Sequence, residues 1–223
     1  SIQLTGIQSF KNSGTLQATQ DLELQANGNL DNAFGALKSG RSMLLAAKKD
    51  IDLSSAMLQA LQLDMHAGGN ISLVTTTHTI SPQNTKGSSL QTQLSPLASI
   101  SVGQDASIRA DGDLTITGAH VEIGGDFQAS AAKNIKIGSV QTEDQKSLER
   151  FGGIGNTDVK VQYGSTITVG KNTSITSGKD ISVEGSQLTL GGTISNQANI
   201  TAGGSISVSA VKDTTHISSS NSD

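Results

Sequence analysis

The chain has no cysteine among its 223 residues, which removes disulfides, thiolate nucleophiles and thiolate metal sites together. This does not argue for the cytoplasm, because extracellular proteins need disulfides chiefly where the core is too small. It suits a chain that crosses an oxidising periplasm unfolded. Tryptophan is also absent, and four phenylalanines and one tyrosine give no platform for stacking bases. The formal charge of -4 is spread without runs, so no basic stripe tracks phosphate and nucleic acid is not expected as a partner. No segment approaches the roughly 20 apolar residues that span a bilayer. No charged head followed by an apolar stretch marks a signal peptide. The start at Ser1-Ile2-Gln3-Leu4 falls inside a repeating pattern and reads as a piece of a longer chain.

Only 34% of residues are apolar, so a thick single core is not expected, and 25 glycines against two prolines fit many tight turns. The apolar residues recur at short intervals. Asp or Asn, then Ile or Leu, any residue, then an aliphatic, occurs as Asp21-Leu22-Glu23-Leu24, Asp50-Ile51-Asp52-Leu53, Asn70-Ile71-Ser72-Leu73, Asp113-Leu114-Thr115-Ile116, Asn134-Ile135-Lys136-Ile137 and Asp180-Ile181-Ser182-Val183, with Ser205-Ile206-Ser207-Val208 as a variant. Asp50 to Asn70 is 20 residues and Asp113 to Asn134 is 21, a period that signals stacked repeats. Strand centres fall at Leu16, Leu24, Leu30, Leu37, Leu44, Ile51, Leu58, Leu63 and Ile71, about one every seven residues. Three strands make one turn, with Leu16, Leu37 and Leu58 in one phase, Leu24 and Leu44 in a second, and Leu30, Ile51 and Ile71 in a third. Alternation of period two and abundant Gly, Ser, Thr and Asn disfavour helices. The expected fold is all-β: a right-handed parallel β-helix of three strands per turn of about 20 residues, its hand assigned by analogy with parallel crossovers.

A longer repeat overlies this one. Residues 102 to 127 match 169 to 194 at a constant offset of 67, with Val102, Ile108, Ile116, Ile123 and Phe127 on Val169, Ile175, Val183, Leu190 and Ile194. Gly118 falls on Gly185 and Gly124-Gly125 on Gly191-Gly192, corners where positive φ is expected. An insertion of four then brings Asn134 onto Ser205. The rhythm stops at 75–97 and 141–163, each time after an Asn-Ile strand, so the chain is expected to leave the coil there as hairpins or mobile loops. Their turn centres are Ser81 to Gly87 and Phe151 to Asn156. Coils are therefore expected over 1–74, 98–140 and 164–211, with 212–223 the disordered start of a third excursion, all within one continuous solenoid.

These features together resemble the haemagglutinin repeats of filamentous-haemagglutinin-like exoproteins of bacterial two-partner secretion. Residues 1–74, with Asn12-Ser13-Gly14-Thr15-Leu16-Gln17-Ala18 and Asn27-Gly28-Asn29-Leu30-Asp31-Asn32, look like the shorter repeats of the shaft. Residues 98–223, with Gly178-Lys179-Asp180-Ile181-Ser182-Val183-Glu184-Gly185-Ser186 and Ala202-Gly203-Gly204-Ser205-Ile206-Ser207-Val208, look like a second class carrying long polar insertions. The resemblance implies a secreted protein at the bacterial outer surface, exported through an outer-membrane two-partner secretion transporter. The same repeats build adhesins, haemolysin-type proteins and contact-dependent growth inhibition effectors. In the inhibition class the second repeats precede the toxin and are implicated in delivery across the target's outer membrane.

Pectin-cleaving enzymes also use β-helices, so the carboxylates need a test. Asp50, Asn70, Asp113, Asn134 and Asp180 recur at one corner and obey the repeat, where a catalytic group would break it at one level; turn chemistry accounts for them. Asp21, Gly118, Gly185, Gly125 and Gly192 are read as structural turn positions too. Asp111-Gly112-Asp113 lacks the nonapeptides of a calcium loop. His66, His78, His120 and His216 have no second ligand at zinc spacing. Gly152-Gly153-Ile154-Gly155 lacks the Lys-Ser/Thr of a phosphate loop and reads as a flexible hairpin tip. No catalytic residue, metal or cofactor is nominated. Phe151, Ile154 and Tyr163 are the candidate partner contacts. The expected function is a structural rod segment that presents or helps deliver a distal module. The alternative is that the excursions form a glycan- or receptor-binding surface, and a polysaccharide lyase or hydrolase is the remote reading. A monomer with end-to-end contacts between open terminal coils is expected.

Overall fold

The computed structural model describes residues 1–81, 83–84, 87–150 and 153–221. It is a parallel β-helix, and alternation explains why. Along Leu22–Ala26 and Ile71–Val74 every second side chain is buried while its neighbours stay partly exposed, the signature of a strand with one face on a core.

Three sheets wrap that core. The first stacks Ile2–Ile7, Leu22–Ala26, Ser42–Ala47, Gln62–Ala67, Ala106–Ala110, Phe127–Ala131, Thr173–Ser177 and Ala198–Ala202, all parallel, so the chain makes eight coils. The second runs from Phe10–Lys11 through Ile51–Asp52, Ile71–Val74, Leu114–Thr117 and the start of Ile135–Arg150 to Ile206–Ser209. The third runs from Thr15–Ala18 to Gln187–Leu190. Equivalent residues of successive coils sit above one another: Leu16 on Leu37 on Leu58, and Leu30 on Ile51 on Ile71. The core is a set of aliphatic columns, with an alanine column through Ala26, Ala47, Ala67, Ala110 and Ala131.

Two phases differ from expectation. Leu24 stacks on Leu45, not Leu44, because the second coil is 21 residues at that sheet and a one-residue slip reverses the face. Leu45 is fully buried and Leu44 points outward. Phe127 stacks on Thr173 and then Ala198, while Ile194 is fully exposed in the connection between Gln187–Leu190 and Ala198–Ala202. The four-residue insertion therefore lies before Ala198, and the offset of 67 ends at Leu190.

The excursions are paired strands. Thr77–Ile80 pairs antiparallel with Gly87–Leu94, and Ile135–Arg150 turns back into Gly153–Gly164. Strand Ile135–Arg150 does not stop at residue 140. Its first residues pair in parallel with Leu114–Thr117, and from Ser139 it continues outward as a hairpin arm. Residues Gly153 to Asn156 belong to the return arm, opposite Arg150 to Ser147, so they are not a flexible tip. Pro82, Thr85, Lys86, Phe151 and Gly152 lie outside the described residues. The segment from 212 is not disordered over its described length: Thr214–Asn221 pairs antiparallel with Gly153–Lys160. The two hairpins also pair with each other, Gly87–Gln91 against Asp144–Leu148. Gln83–Asn84 pairs with Gly87–Leu94 as well, so an antiparallel blade of six strand segments among the described residues stands beside the solenoid.

Candidate functional site

The recurring Asp and Asn residues form a ladder along one edge of the rod. Asp50 Oδ1 accepts the Asn70 amide at 2.7 Å, and Asn70 Oδ1 accepts the Asp113 amide at 2.8 Å. Asp113 Oδ1 accepts both the amide and Nδ2 of Asn134 at 2.9 Å. Asn134 Oδ1 accepts the Asp180 amide at 3.3 Å, and Asp180 Oδ1 accepts the Ser205 amide at 2.7 Å. Each side chain satisfies an amide in the next coil that has left the regular strand ladder. Sequence reasoning missed one rung: Asn29 Oδ1 accepts the Asp50 amide at 3.2 Å. The Asn29-Leu30-Asp31 pattern could have revealed it.

Asp21 sits at a different corner. It precedes a strand of the first sheet, and its carboxylate takes Arg41 Nη2 at 2.8 Å and Ser42 Oγ at 2.7 Å. A second ladder occupies this corner farther along. Asp105 Oδ1 accepts the Asp126 amide, Asp126 Oδ1 the Asn172 amide, and Asn172 Oδ1 the Gln197 amide, at 2.8, 3.0 and 3.0 Å. These residues carry no Asp-Leu-x-Leu motif, so the motif search passed over them. The Arg41 guanidinium holds Asp21 far below the usual carboxylate range, and the Asn134 amide lowers Asp113.

The glycines divide into two kinds. Gly118 and Gly185 have φ of 58° and 56°, in the left-handed region that other residues adopt at a cost. Gly125 and Gly192 have no positive φ; a Cβ on either would strike the coil below, Gln104 and Asp105 for Gly125 and the Gly170 carbonyl for Gly192. The expected positive φ at those two is corrected to close approach. Two buried hydroxyls seal the coils beneath the hairpins. Thr75 Oγ1 donates to the Gly118 carbonyl at 2.6 Å and accepts the Ala98 amide at 2.9 Å. Ser165 Oγ donates to the Gly138 carbonyl at 2.8 Å and accepts the Ala119 amide.

Of the candidate contact residues, Phe151 lies outside the described residues. Ile154 and Tyr163 are both exposed, but they do not form one patch. They are nine positions apart on one strand, an odd number, so they project from opposite faces. The polar face of the blade holds instead a row drawn from all three excursions, Leu90, Gln145, Asp158 and His216, directly opposite one another in sequence. With Ser88, Ser147 and Asn156 they line a shallow groove of about 430 Å³. Beside it Lys160 Nζ meets Glu143 at 3.2 Å and Asp158 at 3.8 Å, and its hydrogen bond lowers Glu143. Among the described residues no three His, Asp or Glu side chains gather at metal-binding spacing, and no helix is long and apolar enough to cross a membrane.

Stacked coils, interlocking ladders and lateral hairpins define a parallel β-helical repeat protein. The Hemagglutinin repeat family matches residues 6–92, 81–161 and 148–223, and the chain belongs to that family. It is 36% identical over 213 residues to the tRNA nuclease CdiA-2 of Burkholderia pseudomallei strain 1026b, covering 94% of this chain and 7% of that protein. It is 33% identical to the toxin CdiA of Yersinia pestis, over 76% of this chain and 5% of the relative. A toxin CdiA of Escherichia coli matches at 28% identity over 69% of this chain. The chain thus spans a small fraction of the length of these relatives. No solved structure matches.

Proposed function

We propose that this chain is a structural rod segment of a secreted bacterial surface exoprotein of the contact-dependent inhibition type, holding a distal module away from the producing cell. The observation that carries this is the unbroken stack of eight coils, with side-chain ladders bonding one coil to the next. Eight coils at about 4.8 Å give a rod of roughly 40 Å. The ladder residues Asp50, Asp105, Asp113, Asp126 and Asp180 each accept a backbone amide, which supports extension over catalysis. The nuclease named in one relative belongs to a protein of which this chain spans 7%. Nearest-neighbour stacking also suits export through an outer-membrane transporter, since an emerging chain can fold coil by coil on those already made.

The test is replacement in the full-length parent. Eight unrelated β-helix coils of equal length should preserve target-cell inhibition or adhesion, and removal of the segment should reduce it. Loss of activity with the equal-length replacement overturns the rod reading. It would favour the second reading, that the excursions bind a target-cell receptor or glycan, for which the groove across three excursions speaks. On that reading, deleting 75–97 or 141–163 abolishes target binding and leaves the coil amides, such as those of Ile108 and Ile175, protected from exchange.

A further inference from the structure

The excursions leave from the fourth, sixth and eighth coils, as the strand order of the first sheet counts them: after Ile71–Val74, within Ile135–Arg150, and before Thr214–Asn221. A spacing of two coils is about 9.6 Å of rise, and a hairpin of two strands at the usual strand separation is about 9.6 Å wide. The two pitches are equal. Each first arm therefore arrives in hydrogen-bonding distance of the preceding return arm: Asp144–Leu148 on Gly87–Gln91, and Thr214–Asn221 on Gly153–Lys160.

The corners next to the departures share one conformation. Gly118 lies on the fifth coil and Gly185 on the seventh, the coils without excursions. A Cβ on Gly118 would collide with the side chain of Val140, at the base of the second excursion, and one on Gly185 with Val211, at the base of the third. In the third coil, Ser55 has φ of 49° and its Oγ bonds Thr76 at the base of the first. A left-handed corner thus precedes every departure, and Phe34 in the second coil, with φ of 61°, has the same conformation with no excursion on the coil after it, so the corner accompanies a departure and the spacing rests on the strand order.

We propose that the excursions are a second repeating element, a single continuous antiparallel blade that grows by two strands for every two coils and is kept in register by the coil count. A groove whose row combines Leu90, Gln145, Asp158 and His216 exists only in that register. Single hairpins would each supply a part of it. Residues 118–184 hold one unit of the blade, two coils plus one hairpin, and the four-residue insertion before Ala198 sets the bases of the second and third excursions, Val140 and Val211, 71 residues apart.

Hydrogen exchange on the intact chain tests this directly. Successive amides of a strand point to opposite neighbours. In a zipped blade every amide from Asp144 to Leu148 is bonded, to Gly153–Gly164 on one side and Gly87–Gln91 on the other, and all are slowed on the order of 100-fold or more. Independent hairpins would protect only alternate amides, and that pattern overturns the proposal. A second measurement uses the absence of native cysteine. Ser88→Cys with Ser147→Cys, opposite each other across the hairpin junction, should cross-link rapidly with a short bismaleimide. Duplicating residues 106–126 adds one coil between the excursions and should slow that reaction on the order of tenfold, while duplicating residues 118–184, with Ser kept at 147 in the second copy, leaves the stretch from 88 to 147 untouched, controls for insertion as such and should not. Equal cross-linking in the one-coil insertion, with Ile108 and Ile175 amides still protected, refutes the coil-count rule. Should that insertion fail to fold, the exchange pattern of the unmodified chain still decides.

Discussion

Replacing Gly118 by Ala isolates the junction between coil and blade. The residue has φ of 58°, which costs an L-residue about 1 kcal/mol or more. Its new Cβ would also overlap the Val140 side chain, lying 3.1 Å from the Val140 Cβ and closer to Cγ1. Overpacking of that kind adds about 2 kcal/mol, so Gly118→Ala should cost ~3 kcal/mol. Val140 is half-buried, and Val140→Ala alone should cost ~1 kcal/mol through lost apolar burial. The double variant keeps the φ strain and the close Cβ contact but loses the overlap with Cγ1, so it should cost ~2 to 3 kcal/mol in place of the ~4 kcal/mol of simple addition. Urea unfolding followed by far-ultraviolet circular dichroism gives the totals. Exchange of the Ile116 and Ile137 amides gives the local value, which matters because repeat arrays need not unfold in one step. Additivity within about 0.5 kcal/mol would refute the contact.

Thr75→Val removes a fully buried hydroxyl and orphans the Ala98 amide and one bond to the Gly118 carbonyl; a loss of about 1–3 kcal/mol is expected in urea titrations. Asn134→Ala strips a rung from the ladder, leaving the Asp180 amide and the Asp113 carboxylate each short of a partner. It should destabilise the sixth and seventh coils by ~1 kcal/mol, seen as faster exchange there and little change in the first three. Asp113 is held below its ordinary value by the Asn134 amide. A carboxylate with a lowered folded pKa contributes stability above its unfolded pKa of about 3.9 and loses it as pH falls through the folded value. Asp113→Asn should therefore flatten the fall in melting temperature below about pH 4, and an unchanged slope would contradict the assignment.

The β-helix was legible because its cause is local. Alternation such as Ile135-Lys136-Ile137 and a return every 20 or 21 residues leave few other ways to bury those side chains. The Leu44 and Phe127 assignments failed for a related reason: the period varies by one between coils and jumps by four before Ala198, and periodicity alone does not say where the extra residue sits. The Asp and Asn positions stood out where an alternating aliphatic strand followed them in the second sheet, and Asn29, followed only by Leu30–Asp31, did not. At the other corner Asp105, Asp126 and Asn172 precede Ala106, Phe127 and Thr173, a mixture no motif captures. The blade was hidden more deeply. Gly87–Gln91 and Asp144–Leu148 share no motif that marks them as partners, and they meet because of how many coils lie between them. Ile154 and Tyr163 were paired by chemistry alone, and strand parity separates them.

Strand Ile135–Arg150 belongs to two sheets at once. A tug applied at the outer end of its hairpin runs down one uninterrupted backbone to Ile135 and Ile137, which are clamped between Leu114–Thr117 and Ile181–Val183. The load there acts along the strand, shearing several bonds simultaneously, whereas peeling would break them singly. Anything gripping this protein from the side would be pulling on its spine.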